Sequence, residues 1–246
     1  MKIEPPLKKA TLLRRYKRFL ADMRLADGAV LTAHCPNTGS MKNCVVPGTV
    51  CWYSESLNPR RKLPATLEIT TTPSGAFAGV NTGRPNSLVE EAIRRGLVKQ
   101  LQGYHSIRRE VPYGSEKSRI DLLLENVGSS CYVEVKNVTL ESVGAVLLFP
   151  DAVTSRGAKH LRELMAVRQQ GHRAVLFFCV QHSAARMVAP AWEIDPLYCE
   201  TLALAKAAGV EVLAYRCELT PDEIALAEEI PFSMGKDWSF FMGEGH

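Results

Sequence analysis

The chain has 246 residues, 46% hydrophobic and 23% charged, which excludes a disordered polymer and leaves ample length for a buried core. Its net charge of +4, from 30 basic and 26 acidic side chains, is too mild to name a polyanionic partner, so the placement of charge matters more than its sum. The start, Met1-Lys-Ile-Glu-Pro-Pro, has no signal-peptide core, and no apolar run nears the roughly 18 residues of a membrane span; a cytoplasmic protein with no membrane partner is expected. The seven cysteines lack any Cys-x-x-Cys; Cys179, Cys199 and Cys217 lie in apolar surroundings and are expected as reduced, buried thiols, and His34, Cys35 and Cys44 match no common zinc spacing, so no zinc site is expected.

Residues 7–80 read as an all-β unit. Lys8, Lys9, Arg14, Arg15, Lys17 and Arg18 surround Leu12, Tyr16 and Phe19, and Asp27-Gly28 turns the chain into a strand over 29–34. Residues 35–41, Cys-Pro-Asn-Thr-Gly-Ser-Met, form a loop of residues tolerant of unusual backbone angles. Val45-Val46 and 49–53 are expected as short strands, Arg60, Arg61 and Lys62 as a basic loop, and 66–72 as another strand. Short strands without a helix predict a small barrel, of which the OB-fold is the common nucleic-acid-binding form; a barrel with a merely solvated basic face fits equally.

The composition changes at Gly83-Arg-Pro-Asn86. Ser87 stands as helix N-cap with Glu90 in the capping-box position, and Leu88, Val89, Ala92, Ile93, Leu97 and Leu101 recur at helical spacing. Glu90 and Glu91 flank that stripe; either fits a metal carboxylate or a counter-charge to the helix dipole. A strand is expected over 104–111. Residues 119–125 and 131–136 then alternate around Gly128-Ser-Ser130 as a hairpin. Period two sets Glu134 and Lys136 on one face and Val133 and Val135 on the other, while Ile120 and Leu122 face away from Asp121. Two carboxylates suit a hard divalent cation, and a lysine beside them can orient a water; Val-Glu-Val-Lys is also how any half-buried strand reads.

Residues 138–149 are apolar and contain a glycine. Thr154 caps a second helix whose stripe is Leu161, Leu164, Met165 and Val167. Arg156, Lys159 and His160 lie in its first turns, where cations oppose the dipole; phosphate binding explains them, and so does surface charge paired with Glu163. An apolar central strand is expected over 173–181, a helix over 196–208 stopped by Gly209, a strand over 210–215 and a short acidic helix over 221–229. Residues 230–246 read as a loosely packed aromatic tail.

The order from residue 86 is an α/β sandwich with a mixed central sheet. With Asp121 in its second strand and Glu134-Val-Lys136 in its third, it resembles the PD-(D/E)XK nuclease-like superfamily. Residues 6–19, His34-Cys-Pro-Asn-Thr-Gly39, Ser118-Arg-Ile-Asp121, Glu134-Val-Lys136 with Val138-Thr-Leu140, Phe149-Pro-Asp-Ala-Val-Thr154, and Arg156-Gly157 with Lys159-His-Leu161 are similar to the sugar fermentation stimulation protein A family. The resemblance implies an OB-fold over 1–82, a PD-(D/E)XK nuclease-like α/β domain over 83–230 and a tail over 231–246. It also implies non-specific DNA binding and a regulatory link to maltose and sugar metabolism in bacteria, and it favours Glu91 as the helix carboxylate. Carried over residue by residue, the catalytic positions are Glu91, Asp121, Glu134 and Lys136, the first three binding Mg2+ or Mn2+. Ile120 stands where the superfamily has proline. Phosphate contacts to DNA, with RNA or single strands as alternatives, fall to Lys8, Lys9, Arg14, Arg15, Lys17, Arg18, Arg60, Arg61, Lys62, Arg156, Lys159 and His160. A metal-dependent nuclease is the alternative primary activity.

Overall fold

The computed structural model describes residues 1–116 and 118–235. Five strands, β1 (Lys8–Tyr16), β2 (Leu20–Arg24), β3 (Val30–His34), β4 (Val50–Glu55) and β5 (Ala65–Thr71), run in the order β3-β2-β1-β4-β5, and a parallel bridge between His34 and Thr66 closes them into a small mixed barrel. Its interior is Leu12, Ala21, Met23, Ala33, Cys51, Tyr53 and Leu67, the inward set that period two demands. Val45-Val46, expected as a strand, stays irregular.

β6 (Phe77–Gly79) extends the barrel sheet and hydrogen-bonds to the second half of the chain: Gly79 N–H donates to Gln181 O at 2.8 Å, and Ser183 N–H to Phe77 O at 2.9 Å. A Cβ at Gly79 would stand 2.6 Å from Gln181 Oε1, so only glycine admits this approach. Glu68, buried in β5, adds a polar tie by accepting from Ser54, from Asn81 and, at 2.6 Å, from Arg84.

The second half is built on a six-stranded mixed sheet, ordered β15-β14-β12-β9-β8-β7, from β7 (Ser106–Tyr113), β8 (Ser118–Asn126), β9 (Ser129–Val138), β12 (Arg173–Val180), β14 (Glu211–Leu219) and β15 (Ile224–Glu229). The β7–β8 and β8–β9 pairs are antiparallel, whereas β9, β12 and β14 run parallel. Helix α1 (Pro85–Arg94) covers one face through Leu88, Val89, Ala92 and Ile93; α2 (Ser155–Gln169) and α3 (Pro196–Ala207) cover the other through Leu161, Leu164, Tyr198 and Leu202. β12 is accordingly apolar on both faces, as its sequence requires. A separate three-stranded sheet, β10 (Leu140–Glu141), β11 (Val146–Phe149) and β13 (Met187–Pro190), accounts for the apolar 138–149 stretch.

Several expectations are corrected. Arg84, not Ser87, holds the N-cap of α1; Pro85 opens the helix, and the Ser87 hydroxyl instead accepts from Arg109. The helix ends at Arg94, leaving Leu97 partly exposed beyond it. Residues 221–229 form no helix: Ile224 and Leu226 are buried at alternate positions, and the edge of β14 offers a ladder that completes β15. The start of the expected tail is packed, since Phe232 stacks on Phe178 at 5.5 Å and Ile230 lies in the core; residues 236–246 lie outside the described residues. Among the described residues no helix is long and apolar enough to cross a membrane.

Candidate cation site in a gap of the sheet

Strands β8 and β9 pair as far as Leu122 opposite Val133 and then separate. One further step of that register sets Asp121 opposite Glu134, at the mouth of the gap. The N–H of Val135, released from the β8 ladder, is taken by Asp121 Oδ2 at 2.7 Å, so the side chain replaces a strand partner. The other oxygen, Oδ1, accepts from Asn86 at the start of α1 at 2.9 Å. On the far side of Asp121 lies Glu110, left out of the β7–β8 pairing with a left-handed φ of 53°. Such a conformation costs about 1–3 kcal/mol and collects at functional sites. The distortion also parts the neighbours of Asp121: Ile120 packs on the α2–α3 side and Leu122 on the α1 side, so the two do not share a face as simple alternation predicts.

Glu134 and Lys136 project toward α2. Lys136 Nζ is 2.6 Å from Glu134 Oε1, and His160 Nδ1 makes a short contact with the same oxygen. His160 is 4% exposed and Glu134 2%, so this is a desolvated cluster that opens to solvent beside Lys136 and Asp121. Glu134 Oε2 is buried with no hydrogen-bond partner among the described residues. Burial alone would raise the Glu134 carboxyl, but the Lys136 charge and then the His160 hydrogen bond hold it below the usual range. Asp121 goes the other way: burial, reinforced by the Glu134 charge, pushes it up to about 6.

The folded chain therefore holds the Asp121 proton more tightly than the unfolded chain does. The stability this group contributes is full below the ordinary carboxylate range and is lost as pH rises through about 6. Asp121→Asn removes the charge while Val135 N–H keeps its acceptor. In metal-free buffer at pH 8 the variant is expected to be more stable than the native protein by about 1–3 kcal/mol. Thermal unfolding from pH 8 to 4 checks this; the advantage should shrink as the native Asp121 takes up its proton, and a constant or absent difference would refute it.

The other sequence-predicted residues are distributed as follows. Glu91 is not brought to the gap: it pairs with the amino terminus of Met1 at 3.0 Å and with Arg95, on the β15 side of α1. Glu90 engages Arg94 and Arg109. The helix residue that reaches Asp121 is Asn86, and the residue that reaches Glu134 from α2 is His160. His160 is no surface phosphate ligand, because it is buried with both ring nitrogens engaged. Arg15 braces the 35–41 loop, donating to the carbonyls of Arg18, Asn37 and Gly39. Lys8 pairs with Glu55, Arg14 with the buried Asp22, Arg61 with Thr66 and Lys159 with the Glu116 carbonyl. Glu163 takes the backbone N–H groups of Ser115 and Glu116 instead of a cation. Lys9, Lys17, Arg18, Arg60 and Lys62 are exposed and make no side-chain hydrogen bond or ion pair with the described residues.

Among the described residues no three His, Cys, Asp or Glu side chains converge to hold a metal ion alone. A two-carboxylate site nevertheless fits a hard cation that keeps several waters, as Mg2+ does, and the orphaned Glu134 Oε2 is an acceptor suited to it.

The barrel and the sandwich each match a family model: residues 13–80 that of the SfsA N-terminal OB domain, and residues 83–223 that of the sugar fermentation stimulation protein RE domain. A sugar fermentation stimulation protein homolog of Teredinibacter turnerae is 62% identical over 231 residues, covering 94% of this chain and 99% of the relative. One of Saccharophagus degradans is 58% identical over 219 residues, covering 89% and 94%. Among solved structures, Pyrococcus furiosus SfsA in complex with Ca2+ superimposes with a TM-score of 0.85 at 27% identity, covering 95% of this chain and 98% of that one. Matched over both halves and nearly end to end, the chain belongs to the sugar fermentation stimulation protein family.

Proposed function

We propose that the protein binds DNA mainly through phosphate contacts and holds a divalent cation, Mg2+ or Mn2+, between Asp121 and Glu134. The observation that carries this reading is the gap between β8 and β9, where the half-buried Asp121 stands opposite the buried Glu134 and Glu134 Oε2 has no partner among the described residues. Ca2+ in the structure of the Pyrococcus furiosus relative supports a cation in this fold. The exposed cations Lys9, Lys17, Arg18, Arg60 and Lys62 all belong to the barrel and suit a sequence-tolerant phosphate track. A regulatory role in maltose and sugar metabolism is part of the same proposal and rests on family membership.

Lys136 favours a second reading, phosphodiester hydrolysis. A cation bound at this site would neutralise charge on a phosphodiester and activate a water. Lys136, held at Glu134 and partly open to solvent, would orient that water, and Asn86 would fix the Asp121 carboxylate.

Fluorescence anisotropy with labelled duplexes of unrelated sequence tests the first reading. Affinity should fall steeply with salt and differ little between sequences, and the Lys17→Ala/Arg18→Ala pair should reduce the slope of log K against log salt by about 2. Salt-independent binding, or none, would remove the DNA reading. Cleavage is scored in the same samples with Mg2+ or Mn2+; an enzyme requires that Lys136→Ala lose about 100-fold or more in rate while binding survives.

A further inference from the structure

We infer that His160 is a positioning residue for Glu134, donating from Nδ1 to Oε1 and accepting at Nε2 from Arg156, so that Oε2 is left as the free cation ligand. The inference rests on the cation-site reading above and adds to it a residue outside the carboxylate–lysine motif.

Nδ1 also lies 3.4 Å from the Lys136 ammonium, which can only donate, but the closer contact to Glu134 Oε1 decides the arrangement of the ring. Nδ1 contacts Glu134 Oε1, an oxygen already held at 2.6 Å by the Lys136 ammonium; an ionised carboxylate only accepts, so the hydrogen belongs to Nδ1. On the other side Arg156 Nε lies 3.3 Å from Nε2, and a guanidinium N–H has no lone pair to offer. Nε2 must accept. These contacts fix the tautomer and the ring orientation together, and they leave no nitrogen for a phosphate.

The backbone that carries the ring is itself held. Thr154 caps α2 by accepting from Gly157 N–H at 2.9 Å, and the Asp195 carboxylate accepts from both Thr154 N–H (2.7 Å) and Tyr198 N–H (3.0 Å), tying the starts of α2 and α3 together. His160 follows one turn inside the capped end and is buried against the sheet. Glu134 Oε1 thus has two fixed donors, and the carboxylate cannot reorient its unpaired oxygen without losing both.

The test titrates Ca2+ calorimetrically into the full-length native, His160→Ala and His160→Asn proteins, with unfolding temperatures recorded in EDTA. Loss of such a supporting partner typically weakens metal binding about 10–100-fold, which is the effect expected for alanine. Asparagine can place an amide N–H near the position of Nδ1–H and should recover most of the affinity. A residue that only filled space would lower the unfolding temperature without this rescue. Nitrogen NMR of the histidine rings adds a readout independent of metal: the resonance absent from His160→Asn should show the Nδ1–H tautomer. An Nε2–H tautomer, or Ca2+ affinity in His160→Ala within about twofold of native, overturns the inference alone. A native protein that takes up no Ca2+ overturns the cation-site reading and the inference with it. If the alanine variant does not fold, the asparagine variant and the tautomer decide.

Discussion

Glu134→Ala is expected to weaken divalent-cation binding by at least about 100-fold, more than loss of a supporting residue alone, because it deletes a ligand itself. Two effects act in the same direction. The buried Oε2 disappears, and the Lys136 ammonium, 2.6 Å from Oε1 in the native cluster, loses the charge that balances it and presents a cation to the gap. Glu134→Gln separates the two contributions: it keeps the shape and one carbonyl oxygen but sets an amide beside Lys136 and His160. Calorimetry with Ca2+ or Mn2+ makes the measurement. DNA affinity at fixed salt in the absence of metal should change little, because Glu134 is 2% exposed and the cations proposed to contact DNA lie on the barrel. Undiminished cation uptake by Glu134→Ala would place any metal elsewhere in the molecule.

The second large effect is expected at the junction of barrel and sandwich. Glu68→Ala should destabilise the protein by about 3–5 kcal/mol, the range for removing one partner of a buried ion pair. Glu68 accepts from Ser54 at 2.7 Å, Asn81 at 2.9 Å and Arg84 at 2.6 Å, and its loss strands Arg84, whose side chain is only 17% exposed. For a chain of this length that corresponds to a fall in unfolding temperature of about 6–20 °C. The barrel keeps its own apolar interior, but Ile69 of β5, with Trp52 and Phe77 against it, joins the sandwich core on the α1 side, so scanning calorimetry should show a single transition that moves down as one. A shift under about 2 °C would mean that the pair contributes no more than a surface salt bridge.

Glu134 and Lys136 were legible in the chain because strand alternation is a local rule: period two places a Glu and a Lys two residues apart on one face whatever the rest of the fold does, whereas at Asp121 the alternation breaks. The barrel and the central strand β12 were legible for the same reason, since turn chemistry and continuous apolar runs are local signals. Where a local signal was short, it failed. Residues 221–229 offer only Ile224 and Leu226 in alternation, and it is the open edge of β14 that makes them a strand.

The partners of the site were not legible. Asn86 lies 35 residues from Asp121 and His160 26 residues from Glu134; only the packing of α1 and α2 on opposite faces of the sheet brings them to the gap. Spacing could not choose between Glu90 and Glu91, and the fold turns the first to Arg109 and the second to the amino terminus. Arg15 reads like its basic neighbours, yet it meets the carbonyls of Asn37 and Gly39 and becomes a brace. The sequence alone thus determined which residue types line each strand face, because side-chain direction repeats with the backbone. Tertiary structure alone decided which charges are spent on internal partners and which remain free, because those partners come from distant segments joined only when the helices dock and the barrel closes.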